Sequence, residues 1–400
     1  MHADILDPEL YRRGDPHAVY ARLRREAPLF RDEKNGFWVA SRYPEVVHVS
    51  KHPQVFCSGH GVVPGSSTKV SMVTMDEPRH GRLRRLVNRG FTPRMVGMLE
   101  PRIRETVKES IDAVAEKGAC DFVKDLAVPL PMIIIAELLG IRREDRDRFE
   151  HWSDTMIAAG GGRAEADPQI AAAAGAAFGQ YAAYLQGVFE DRRQRPREDL
   201  VSILVAAQGD GTLAADEERL EGDELLMFMT LLLVAGNETT RNAIAGGVIA
   251  LIENPDERAK LLADPSLVPN AVEEILRWTS PVICFYRTAT RDAELRGERI
   301  REGERVVMIY PSANRDEDVF PDADRFRVER RPNPHVAFGI GNHFCLGANL
   351  ARLELRIMLD GLLRRLPDLE LAPGTRPTYT DSPFVRGVAS MPVVFTPAEG

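Results

Sequence analysis

Apolar positions along the chain recur mostly at spacings of three and four residues, the period of a helix with one face turned to a core. That pattern predicts helices over residues 99–116, 145–157, 176–193, 221–253 and 269–277. Asp167 followed by Pro168 is a helix-start signal, because the carboxylate can accept a backbone N–H and proline fits the first helical position. Strand signals are fewer. They fall at residues 37–40, at 304–309 after Gly303, and at 386–394, where Pro392 breaks the run because it cannot donate to a ladder. Residues 58–78, rich in Gly, Ser and Pro, and 159–177, rich in Gly and Ala, show no period. They are expected to be irregular, as lids, binding loops or disorder. Residues 314–334 are crowded with Asn, Asp, Pro and Arg and read as a long meander. The expectation is a mainly α chain with a smaller β-rich part, without internal repeats or a long linker.

The 221–253 segment stands apart because it is apolar on nearly all sides from Leu225 to Val234. Such a helix belongs in a core. Its apolar run, 225–236, is interrupted by Thr230 and is too short to span a bilayer. The N-terminus has no apolar targeting region. A cytoplasmic, membrane-free protein is therefore expected. At 400 residues and 44% hydrophobic content the chain can bury a large core, and a net charge of -8 does not favour nucleic acid as a partner. The four cysteines, Cys57, Cys120, Cys284 and Cys345, have no paired spacing, so neither a disulfide framework nor a zinc site is indicated.

Cys345 lies in Phe338-Gly339-Ile340-Gly341-Asn342-His343-Phe344-Cys345-Leu346-Gly347. Gly339 and Gly341 permit a tight, shaped loop. A helical pattern follows, with Leu346, Leu350, Leu353 and Ile357 on one face, so Cys345 is expected at a helix N-terminus. Free N–H groups there favour a thiolate, which can serve as nucleophile or metal ligand. A small buried hydrophobe is the bland alternative. In the long helix, Ala235-Gly236-Asn237-Glu238-Thr239-Thr240 puts polar groups where they need partners or a purpose.

The cysteine segment, continued to Arg352, resembles the haem-binding loop of cytochromes P450, FGxGxHxCxGxxLAR, at every specified position. The resemblance covers essentially the whole chain in the family's order. It implies the P450 fold as a single haem domain over 1–400, with haem b bound and Cys345 as its axial thiolate ligand. His343, His80, Arg84 and Arg287 are then the residues that approach the propionates. The long-helix hexapeptide resembles the family's oxygen-binding motif. That likeness makes Gly236 a gap for dioxygen, Thr239 the hydroxyl that orders a water, and Glu238 the acid that feeds protons. Glu274 and Arg277 match the ExxR motif, and Arg325 is the expected third member from the meander. The family often has proline where Ala323 stands.

Positions that line the family's distal pocket are apolar here: Val62, Val63, Val70, Met72, Val73, Leu233, Val234, Val282, Ile283, Phe285, Phe384 and Val385. They point to a bulky apolar substrate, with a steroid or sterol side chain first, then a terpenoid or fatty acyl chain. The chain is used up by the haem domain. Electrons are therefore expected from a ferredoxin and its NAD(P)H-dependent reductase, docking on cations such as Arg82, Arg85, Arg89, Arg352 and Arg356. A monomer is expected. A peroxide-driven peroxygenase usually lacks the acid–threonine pair, and a haem-thiolate sensor without turnover would not need it.

Overall fold

In the computed structural model, residues 4–13, 16–64, 71–159, 167–207 and 223–398 are described. The periodic stretches form helices at Glu100–Ala115, Arg146–Ala158, Pro168–Gln194, Glu224–Glu253 and Val268–Thr279. The expected first residues of the long helix, 221 and 222, lie outside the described set, as do 160–166 and 65–70 with Val70. The third helix corrects the expectation for 159–177. It starts at Pro168, with the Asp167 side chain accepting the Gln169 N–H, and runs through the alanine-rich segment. Alanine holds a helix without a buried face. The buried stripe of Ala177, Tyr181, Leu185 and Phe189 begins only nine residues in, which is why periodicity missed the first turns. The helix Pro129–Leu138 has no periodic signal because it is apolar except for Glu137.

A five-stranded sheet runs in the order Leu29–Asp32, Phe37–Ala40, Arg305–Ile309, Cys284–Ala289, Phe56–Cys57. Phe37–Ala40 pairs in parallel with Arg305–Ile309, Val39 opposite Val307, and the other pairs are antiparallel. Along Arg305–Ile309 the faces alternate. Val306 and Met308 pack with Val46, Val49 and Phe56, whereas Val307 and Ile309 pack with Tyr11, Tyr20 and Leu23. The expected strand at 386–394 is two strands. Val388–Ser390 pairs with Thr378–Tyr379, and Pro392–Val394 lies between Ala119–Asp121 and Glu370–Leu371. Pro392 opens the second strand, a position that needs no N–H donor.

The larger core is helical. The long helix packs on Pro129–Leu138, Val268–Thr279 and Ala348–Arg365. A Cβ on Gly246 or Gly247 would come within 2.7 Å of Thr279 or Ile275, so these glycines let two backbones approach closely. Between residues 314 and 347 no helix or strand forms, as the meander reading expected. No helix among the described residues is long and apolar enough to cross a membrane.

Candidate active site

The cysteine loop is shaped by its own backbone. Gly339 and Gly341 have φ of 68° and 80°, and the Cys345 N–H donates to the Phe338 carbonyl at 2.9 Å. A Cβ on Gly341 would lie 2.5 Å from the Ser50 carbonyl oxygen, so only glycine fits against that neighbouring helix. The helix itself is Ala348–Arg365, which places Cys345 three residues before its first turn. Burial pushes the Cys345 thiol up; the Gly347 N–H and the charges of Arg84 and Arg352 oppose this and favour thiolate. A Cβ on Gly347 would meet no protein atom within 4 Å, so packing does not account for that glycine.

His80, Arg84, Arg287 and His343, taken from distant parts of the sequence, do converge. The His80 and His343 rings lie 4.1 Å apart between centroids. Burial, reinforced by the charges of Arg287, His80 and Arg84, pushes His343 down to about 2. Arg287 is buried and hydrogen-bonds the Tyr286 carbonyl at 2.9 Å. Among the described residues neither Arg287 nor Arg84 has a carboxylate within ion-pair distance, and burial lowers both. His80 is 2% exposed, and its Nε2 is buried without a partner among the described residues. Buried cations without counter-charge are costly. This cluster therefore fits a ligand carrying two carboxylates, as haem does.

On the long helix, Val234, Ala235, Glu238 and Thr239 keep accessible surface while Leu232, Leu233, Asn237 and Thr240 are buried. This gives one open stripe. Thr239 donates its hydroxyl to the Ala235 carbonyl at 2.7 Å, leaving its oxygen lone pairs to accept. Glu238 lies 3.7 Å from Arg241 one turn on, a partner not singled out from the sequence. Gly236 receives a second reason beside the one expected. Its missing Cβ would sit 2.5 Å from Ile135 Cδ1, so the glycine also admits the neighbouring helix.

Behind the loop, Glu274 and Arg277 are fully buried and joined by two bonds of 2.7 and 2.8 Å. The third member is Arg330, not Arg325. Arg330 Nε reaches the Glu274 carboxylate at 3.0 and 3.2 Å. Arg325 contributes only its carbonyl, which accepts from Arg277 and Arg330. Both arginines lie in the unpatterned meander, and only its folding back selects between them. Arg352, expected as a docking cation, is instead gripped by Glu273 at 2.7 and 2.8 Å.

The pocket residues divide. The Phe285 and Phe384 rings meet at a tilt with centroids 5.4 Å apart, and Val282 bridges to Val385 beside them. Val62 joins through the Tyr286 N–H to its carbonyl at 2.8 Å. Val63, Val73, Val234, Val282, Phe285 and Phe384 are half-buried, as a pocket lining must be, and Met72 and Val385 lie almost covered. Two expectations fail. Leu233 is fully buried in the helical core, and Ile283 packs against the N-terminal tyrosines behind the sheet. In each case the neighbouring residue, Val234 or Val282, takes the open side.

Residues 169–393 match the family described as Cytochrome P450. A steroid C26-monooxygenase of Mycobacterium tuberculosis is 43% identical over 397 residues, covering 99% of this chain and 97% of that protein. A methyl-branched lipid omega-hydroxylase of the same organism is 40% identical, covering 94% and 90%. Among solved structures, CYP109E1 from Bacillus megaterium in complex with testosterone superposes with a TM-score of 0.86 at 33% identity, covering 96% of this chain and 99% of that one. CYP109Q5 from Chondromyces apiculatus gives 0.87 at 40%, covering 100% and 99%.

Proposed function

The chain belongs to the cytochrome P450 family and is a monooxygenase, and from that premise we propose that it hydroxylates a steroid or sterol side chain, with a methyl-branched lipid as the next substrate class. Family membership implies haem iron, and Cys345 would be its thiolate ligand. His80, Arg84, Arg287 and His343 would hold the propionates. The single observation that carries this assignment is that Arg84 and Arg287, converging with the His80 and His343 rings, have no carboxylate within ion-pair distance among the described residues. Bound haem would supply dioxygen activation, favoured by electron donation from the thiolate.

The residues then have separate tasks. The Gly347 N–H and the charges of Arg84 and Arg352 oppose the burial that raises the Cys345 thiol, and so work in favour of a thiolate. Glu238 and Thr239 share the open stripe of the long helix. The acid holds a proton, and the hydroxyl oxygen accepts from a water that carries it onward. Val63, Val73, Val234, Phe285 and Phe384 exclude water and orient an apolar substrate. The names of the two mycobacterial relatives support the steroid and lipid classes. Electrons would come from a ferredoxin and NAD(P)H through its reductase, docking on the exposed Arg82, Arg85, Arg89 and Arg356.

A Soret titration of the purified ferric protein tests the substrate class. Sterols, steroids, methyl-branched fatty acids, terpenoids and a macrolide would be added separately. A shift to high spin with sterols or steroids at the lowest concentration supports the ranking. A shift confined to the macrolide, or none with any apolar compound, removes it.

A further inference from the structure

Glu273 adjoins the buried Glu274, yet its carboxylate takes different partners. Arg352 Nε donates to Oε1 at 2.7 Å and Nη2 to Oε2 at 2.8 Å, a two-bond fork. His335 Nε2 lies 3.1 Å from the same Oε2. The Ala337 N–H reaches His335 Nδ1 at 3.3 Å, which leaves the ring proton on Nε2, pointing at Glu273. Burial pushes Glu273 up, but the hydrogen bonds from His335 and Arg352 and the charge of Arg352 outweigh it, and it falls to about 2.

Both partners flank one ring. The Arg352 guanidinium lies 4.8 Å from the centroid of Phe338, and the His335 ring is 6.1 Å from it. The carbonyl of Phe338 accepts the Cys345 N–H at 2.9 Å. A contact path therefore runs from a carboxylate on the helix Val268–Thr279, through a guanidinium and an imidazole, to the ring and carbonyl that fix Cys345. His335 is 3% exposed, so one arm of this path is shielded from solvent.

We propose that Glu273 is a positioning residue for the thiolate ligand: by holding Arg352 and His335 against Phe338, it fixes the carbonyl that receives the Cys345 N–H. The inference rests on the haem-thiolate reading of Cys345 but adds a residue outside the loop and outside the Glu274–Arg277–Arg330 cluster. With Arg352 and His335 released, the Phe338 carbonyl no longer fixes the Cys345 backbone, and the sulfur is more easily displaced from the position in which it would serve as ligand.

The haem-loaded protein tests it through its spectrum and potential rather than its turnover. In Glu273→Gln, the reduced carbon monoxide complex should convert from the thiolate-type to the thiol-type Soret band about tenfold faster, the effect expected when a charge-assisted fork is lost. The ferric/ferrous midpoint should also move from wild type. Arg352→Lys keeps the charge but loses the fork and the stacked plane, and should convert as fast. The double variant should be no worse than either single one, because both act on one path. Unchanged conversion and potential in both single variants, with only a lower unfolding midpoint, would make the pair an ordinary surface tie and overturn the proposal. A wild-type protein with no thiolate-type band would instead sink the haem-thiolate reading itself.

Discussion

Glu354 lies in the helix that follows the cysteine loop, 2% exposed, with Oε1 buried and without a partner among the described residues. Burial pushes its carboxyl up to about 8. Between its ordinary value and 8, the folded protein keeps a proton that the unfolded chain has released. Stability therefore falls as pH rises through that window. Glu354→Gln keeps the shape and removes the titration. It should gain roughly 1–3 kcal/mol over wild type at pH 8.5 and almost nothing at pH 4.5, read by urea unfolding. Equal slopes for the two proteins would show that Glu354 does not carry the proton. Thr239 makes a second residue-level case. Thr239→Ala should keep NAD(P)H consumption while product per NAD(P)H falls about tenfold; unchanged coupling would remove its proton-delivery role. Cys345 was legible because its signature is local, fourteen neighbours in one run. Arg241 beside Glu238 was not singled out, although a one-turn spacing is visible in sequence, because such pairs are commonplace on helices.

The contacts between elements explain where residue spacing misleads. Arg325 and Arg330 both lie in the meander, and only the folded loop turns Arg330 into the buried cluster. Arg330→Ala should cost about 3–5 kcal/mol, because Glu274 loses a buried partner. Arg325→Ala should change stability by less than about 0.5 kcal/mol, since its carbonyl survives the substitution. The reverse order in denaturant midpoints would restore the first expectation from sequence. The helix interface gives another test. Gly247 admits Ile275 so closely that a valine there should cost roughly 1–3 kcal/mol through overpacking. In the background Ile275→Ala that cost should shrink, as a double-mutant cycle would show. A second interface, with the helix Pro129–Leu138, accounts for Gly236, whose absent side chain makes room for Ile135. A glycine in an apolar helix signals close approach, but the sequence does not say of what. Long periodic helices such as Glu100–Ala115 were legible to within a residue or two. Pro129–Leu138 was not, because Glu137 is its one charged residue and a single polar position does not mark a period.

Across the whole molecule, the fold's task is to bring His80, Arg84, Arg287 and His343 to one place, with the Arg84 charge close enough to act on Cys345. These residues come from a helix, a strand and the loop itself. No local pattern unites them, so they were legible only through resemblance to a family whose chain order this sequence shares. This convergence would hold haem, with Cys345 as the ligand to its iron. The absorption spectrum of the purified, reduced, carbon monoxide-treated protein tests it most directly, with Cys345→Ser alongside. The red-shifted Soret band of a thiolate-ligated complex is expected in the wild type and its loss in the variant. A wild-type spectrum without that band, or a variant that retains it, would overturn the assignment of Cys345 as the haem ligand.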